Sequence, residues 1–201
     1  MRRVSVDDVE PRALGDASER RDLAAPLGAT GFAVNRYRVA PGEGFPAGLH
    51  AHADQEEVFV VLAGEATFET LDGEVTVGAG EAVRFVPGEF QTGRNDGTVA
   101  LVALALGAPR ESEDVRVPRT CPKCDRGDVR VAGGEDGVAF VWPDCGAERS
   151  PAPCPDCRGG DLRFTVTRGG GRSDGGGESE REPVVVCPDC GLELDDAPLD
   201  V

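Results

Sequence analysis

The sequence predicts a mainly β protein, with a small antiparallel barrel or jelly roll in its first half and small cysteine-bearing β modules in its second. Three observations carry this expectation. Short valine-rich runs punctuated by Gly and Pro follow one another at near-regular spacing between residues 31 and 108, which is how double-sheet folds that hide their edges are written. All seven cysteines lie beyond residue 120, mostly in C-P-x-C turns. The chain's two histidines stand two positions apart, at His50 and His52.

Taken in order, residues 1–30 read as an arm with a short strand and a helical turn. Strands are expected at 32–39, 56–62, 65–71, 74–77, 82–86 and 98–106, making residues 31–108 one barrel, although a β-sandwich would be spaced in much the same way. Asp72-Gly73 offers the positive φ values of a tight hairpin turn, and Ala66, Phe68, Val75 and Val77 alternate with polar partners. Residues 109–119 are polar and proline-bounded and read as a linker. Residues 120–150 and 151–201 read as two tandem ribbons.

The stretch from Gly44 to Gly64, GFPAGLHAHADQEEVFVVLAG, concentrates the chemistry. On a strand, the period of two aims His50 and His52 at one face. Glu57 follows a short polar turn and opens the next apolar run. Two imidazoles and one carboxylate are a donor set that a divalent transition metal accepts while keeping open positions; iron, manganese, nickel and zinc are all compatible with it. A polar cluster at a barrel mouth, without metal, is the alternative.

This stretch resembles the first sequence motif of the cupin superfamily, and GEAVRFVPGEFQTGRN from Gly80 to Asn95 resembles the second. The resemblance implies a double-stranded β-helix over roughly the first 110 residues, with His50, His52 and Glu57 as metal ligands. Where cupins usually carry a further histidine this chain has Gln91, a neutral and weaker donor. The resemblance leaves Gln91 as a fourth ligand and, if there is turnover, implies a metal-dependent isomerase or oxygenase; a homodimer stays open. Tyr37, Glu56 and Arg94 lie near enough in sequence to line the pocket.

In the second half, a C-x-x-C turn sets two thiolates on one side of a tight loop, and two facing turns make a tetrahedral zinc site. Cys154, Cys157, Cys187 and Cys190 form a complete set, with a Gly-rich polar insert at 168–182 lengthening the loop between the two turns at little entropic cost. Cys121, Cys124 and Cys145 form an incomplete one, because Trp142 occupies the third thiolate position. That site either holds zinc with a borrowed ligand or has become a metal-free relic. The second set read without zinc would be reduced thiols or a redox pair. Disulfides are disfavoured, since the thiols come as C-x-x-C turns.

Thirty-seven acidic against 21 basic residues give a formal charge of −16, and Lys123 is the sole lysine. Such a surface resembles that of salt-adapted proteins, where molar salt shortens the Debye length to about 3 Å, and the whole layout resembles small cupin-domain proteins of halophilic archaea. No polybasic face is visible, which disfavours nucleic acid without excluding it. No apolar run approaches the ~20 residues of a membrane span, and no apolar stretch follows the N-terminal arginines as a secretory signal would; a soluble, cytoplasmic chain is expected. Two functions remain: a metal site that binds or transforms a small polar molecule, or a non-catalytic sensing module whose ribbons contact protein or nucleic acid.

Overall fold

The computed structural model describes residues 1–134, 137–167 and 181–200, so most of the Gly-rich insert lies outside the described residues. The arm holds a 3-10 turn at Val6–Asp8, strands β1 (Arg12–Ala13) and β2 (Glu19–Asp22) and the one-turn helix α1 (Ala24–Leu27). The barrel strands are β3 (Ala33–Val39), β4 (Ala51–His52), β5 (Glu56–Ala63), β6 (Glu65–Thr70), β7 (Glu74–Gly78), β8 (Ala82–Phe85), β9 (Gln91–Arg94) and β10 (Leu101–Ala108). Beyond them come β11 (Val115–Val117), β12 (Val129–Gly134), β13 (Gly137–Trp142), β14 (Ala147–Arg149), β15 (Arg163–Val166), β16 (Pro183–Val186) and β17 (Glu193–Leu194). No helix among the described residues is long and apolar enough to cross a membrane.

Two antiparallel sheets face each other as a jelly roll, one ordered β1-β2-β3-β10-β5-β8 and the other β7-β6-β9. Alternation does the sorting: Leu101, Ala103 and Ala105 of β10 point inward against Tyr37, Val39, Phe59, Val61 and Phe68. Phe59, Phe68 and Phe85 pack ring to ring at 4.9–6.1 Å, and each such buried side chain contributes about 1.5–3 kcal/mol. Asn95, fully buried, ties the barrel shut: its amide donates to Val39 O and Val99 O, and its oxygen accepts from Gly97 N–H. Gly64 (φ 74°) must be glycine, because a Cβ there would lie 2.9 Å from Ala100 O.

The β6–β7 turn differs from its expected form. Gly73 does not take a positive φ. Instead Thr70 closes the turn, pairing its N–H with Gly73 O and accepting Asp72 N–H and Gly73 N–H at its hydroxyl. That side-chain cap makes the left-handed pair unnecessary.

The cysteine-bearing half is also β. Strands β14-β13-β12-β11 form one sheet and β15-β16-β17 another. The first sheet does not stop at the tail, since β11 pairs with β4, setting Val115 opposite His52 and Arg116 opposite Ala51. The stretch 109–119, which reads as linker by polarity, thus contains a strand that lies on the histidine strand. Leu49 from the barrel joins Val117, Val129, Phe140, Trp142, Phe164 and Val185 in a second apolar cluster.

Candidate metal centre

The loop before β4 sets the two imidazoles. Ala47 (φ 82°) and Gly48 (φ 63°) are consecutive left-handed residues, and Gly48 passes so close to β15 that a Cβ would lie 2.6 Å from Phe164 O. Leu49 then donates its N–H to Phe164 O (2.7 Å) and is fully buried. With Leu49 turned into the second cluster and Ala51 buried, alternation presents His50 and His52 to the barrel cavity. On the other side of this short strand, His50 and Gln91 exchange backbone hydrogen bonds of 3.1 and 2.9 Å.

The tautomers follow from the hydrogen bonds. His50 Nδ1 lies 2.9 Å from Gly48 O, a group that only accepts, so Nδ1 carries the proton. His52 Nδ1 lies 2.9 Å from Ser112 Oγ, and Ser112 spends its own proton on Asp54 Oδ1 at 2.6 Å. His52 Nδ1 therefore donates as well. Both Nε2 lone pairs are left free, the arrangement that prepares imidazoles for a metal.

Glu57, near the start of β5, completes the group. Its Oε2 stands 3.8 Å from His52 Nε2, and the ligand atoms of His50, His52 and Glu57 all lie within 4.8 Å of one another. Burial pushes Glu57 up to about 7, against the Gln91 amide, which donates to Glu57 Oε2 at 3.0 Å. Burial, together with the neighbouring His50, pulls His52 down to about 4; burial also lowers His50, against its bond to Gly48. Neutral imidazoles beside a carboxylate that resists ionising are what a site built for a cation looks like without one. Gln91, expected as a fourth ligand, presents its amide N–H to Glu57 and is placed as a hydrogen-bond donor to that carboxylate.

These side chains open into a cavity of ≈360 Å³, at the lower end of small-molecule sites. Tyr37 lines it, as expected. Glu56 and Arg94 do not: Glu56 pairs outward with Arg84 at 3.5 Å, and Arg94 is held by Glu69, Glu74 and Asp96 on a neighbouring recess under Phe164. Sequence order suggested their nearness, but the pleat sends them elsewhere. Four cavity residues had no local signal: Ser112 and Arg110, in the apparent linker, Gln55, which donates to Pro109 O (2.6 Å), and Arg20, on the arm.

The cysteines gather as their spacing suggests. Cys154, Cys157, Cys187 and Cys190 have all four sulfurs within 4.8 Å of one another, as do Cys121, Cys124 and Cys145. Sulfur separations of 3.7 Å (Cys154, Cys190), 3.5 Å (Cys157, Cys187) and 3.6 Å (Cys121, Cys145) match the ~3.8 Å edge of a tetrahedron with Zn–S near ~2.3 Å. The backbone N–H of Cys157 leads in bringing Cys154 down to about 7; against the Leu192 N–H, burial and the other sulfurs push Cys190 up to about 12. Four sulfurs this close cannot all ionise without a cation, so the donor set fits zinc.

The cupin domain family matches residues 35–107. Among solved structures, a cupin-superfamily sugar phosphate isomerase from Silicibacter pomeroyi aligns at TM-score 0.55 and 20% identity, over 71% of this chain and 94% of that one. The polyketide cyclase RemF from Streptomyces resistomycificus aligns at 0.49 and 26%, over 57% and 83%. No curated protein matches the chain. The jelly roll and the family match coincide: residues 35–107 match the cupin domain family and fold as a jelly roll.

Proposed function

We propose that the barrel binds a divalent transition metal through His50, His52 and Glu57, and that this metal holds, and in turnover activates, a small polar molecule in the cavity beside it. One observation carries the reading: both imidazoles have their Nδ1 protons committed, to Gly48 and Ser112, so that two free Nε2 atoms and one carboxylate converge. When bound, the cation supplies a Lewis acid for an oxygen of the ligand. The chain's own residues do the rest. Gln91 steadies Glu57, Ser112 and Asp54 hold the His52 ring, and Gln55 pins residues 109–110 to the cavity. The isomerase that aligns with this chain shares its fold; a metal-dependent isomerase or oxygenase activity is what the two cupin-like motifs imply.

In the second half, Cys154, Cys157, Cys187 and Cys190 hold a structural zinc, with Cys121, Cys124 and Cys145 a weaker second site. Four thiolates leave no open position for catalysis. A ribbon that contacted a separate partner would keep an apolar face free. Here Phe164, Val166 and Val185 are buried in the cluster containing Leu49, which favours a tail that walls the metal site.

The test is metal analysis of wild type and of a His50→Ala, His52→Ala double variant. Wild type is expected to hold one or two zinc per chain plus a distinct barrel metal, and the double variant to lose that metal while keeping the zinc. Unchanged total metal in the double variant would end the barrel assignment.

A further inference from the structure

The cavity inverts the charge of the chain. Acidic residues outnumber basic ones 37 to 21 overall, yet the ionisable chains lining the cavity, besides the histidines and Tyr37, are Arg20, Arg110 and the single carboxylate Glu57. Glu57 is committed to the metal under the proposal above, on which this inference builds. With a divalent cation in place, the cavity would be strongly positive.

The two arginines are not equivalent. Arg110 donates to Ala29 O (2.7 Å) and lies 3.4 Å from Glu111. Arg20 has no ion pair among the described residues, and its Nε is buried with no hydrogen-bond partner. β2 and β3 place it directly across from Tyr37. Burial raises the Tyr37 hydroxyl, against its hydrogen bond to Arg20, and the charge of Glu57 raises it further, so one phenol links the arginine to the metal group. Room for a ligand comes from Ala33 and Ala105 on adjacent strands, while the Gln55 amide takes the space over Gly107. A guanidinium that lines a cavity with no carboxylate paired to it suits a ligand carrying a carboxylate or phosphate.

We propose that Arg20 forms an anion subsite of the metal cavity, so that the ligand is a small carboxylate or phosphate whose charged group lies against Arg20 while another of its oxygens faces His50, His52 and Glu57. Tyr37 is the neutral donor beside it.

The test is calorimetric titration of the full chain, as purified and in low-chloride buffer, with malonate, inorganic phosphate and the neutral isostere malonamide, for wild type, Arg20→Gln and Arg20→Lys. Metal content is measured on every sample. Wild type is expected to bind at least one of the two anions and not malonamide, the stronger anion distinguishing a carboxylate from a phosphate site. Arg20→Gln should weaken that anion at least tenfold with metal content unchanged, and Arg20→Lys should recover part of the loss. Equal anion binding in wild type and Arg20→Gln, malonamide binding as tightly as malonate, or no anion binding at all overturns the subsite. Absence of barrel metal in wild type overturns the metal assignment instead, and Arg20-dependent anion binding in that sample still supports the subsite.

Discussion

The two cysteine modules are built on one backbone device, and they differ at one side chain. Each of the four turns ends in a left-handed residue, at Asp125, Gly146, Arg158 and Gly191. Each is closed by the same bond from that residue's N–H to the carbonyl four positions earlier, on Cys121, Trp142, Cys154 and Cys187. The turn at Trp142 therefore keeps the loop and the Cys145 sulfur but lacks the first of the two sulfurs that the other turns present. Its indole is fully buried, with Nε1 donating to Arg119 O at 3.3 Å. The second module has no counterpart to this ring and presents a fourth sulfur instead. A small β module can be held by a cation or by a large apolar side chain in the same place; under the function proposed above, the second module relies on the cation and the first adds the ring.

The comparison breaks most easily at the second module. A Cys187→Ser, Cys190→Ser variant loses half its donors, and a structural zinc is worth about 10–16 kcal/mol in small zinc domains. Strands β15–β17 are expected to unfold, seen as loss of one zinc per chain and of amide-exchange protection there. Trp142 is the chain's sole tryptophan and shares the second apolar cluster with Phe164 and Val185, so its emission should shift toward that of a solvated ring. An emission that stayed that of a buried indole would mean that the first module keeps its core without the second. The reciprocal change is smaller. Trp142→Ala removes the ring that stands in for the thiolate, at an expected cost of about 3–5 kcal/mol. Denaturant unfolding followed by circular dichroism checks it, and a loss under 1 kcal/mol would show that the three-sulfur cluster, not the indole, holds the first module.

The same contrast explains what the sequence made legible. The C-x-x-C turns, His50, His52, Glu57 and the barrel strands other than β9 could be read because their signals are local: fixed spacings, strand alternation and punctuating glycines; β9, QTGR, is short and polar and takes its place only by pairing with β6. Ser112 could not be read. It lies sixty residues from His52, in a stretch whose polarity suits a linker, and only the pairing of β11 with β4 brings that stretch to the site. Arg20 was hidden likewise, as one arginine among many on an arm with weak strand signal, given meaning by its register with Tyr37. The Asp72-Gly73 turn misled for the opposite reason, since a strong local signal was overridden by the hydroxyl of Thr70, outside the dipeptide.

Proton competition should separate the barrel site from the cysteine sites by a gentler effect. In the cation-free cavity Glu57 holds its proton up to about 7, because burial outweighs the Gln91 hydrogen bond. A metal entering below that pH must displace the proton, so affinity should fall about tenfold per pH unit below 7 and level off above it. His52, held down to about 4, is already neutral across this window and adds no slope. At the four-cysteine site, Cys190 is pushed up to about 12, so zinc affinity should keep rising with pH well above 7. Metal binding measured from pH 5.5 to 8.5 reads both curves at once. Without metal, the raised carboxyl acts on stability with the opposite sign. Its contribution is full below the ordinary value of 4.5 and is lost as pH climbs through 7. Glu57→Gln should flatten that loss while abolishing barrel metal. A barrel affinity that still climbed steeply above pH 7 would mean that a group other than Glu57 yields the proton.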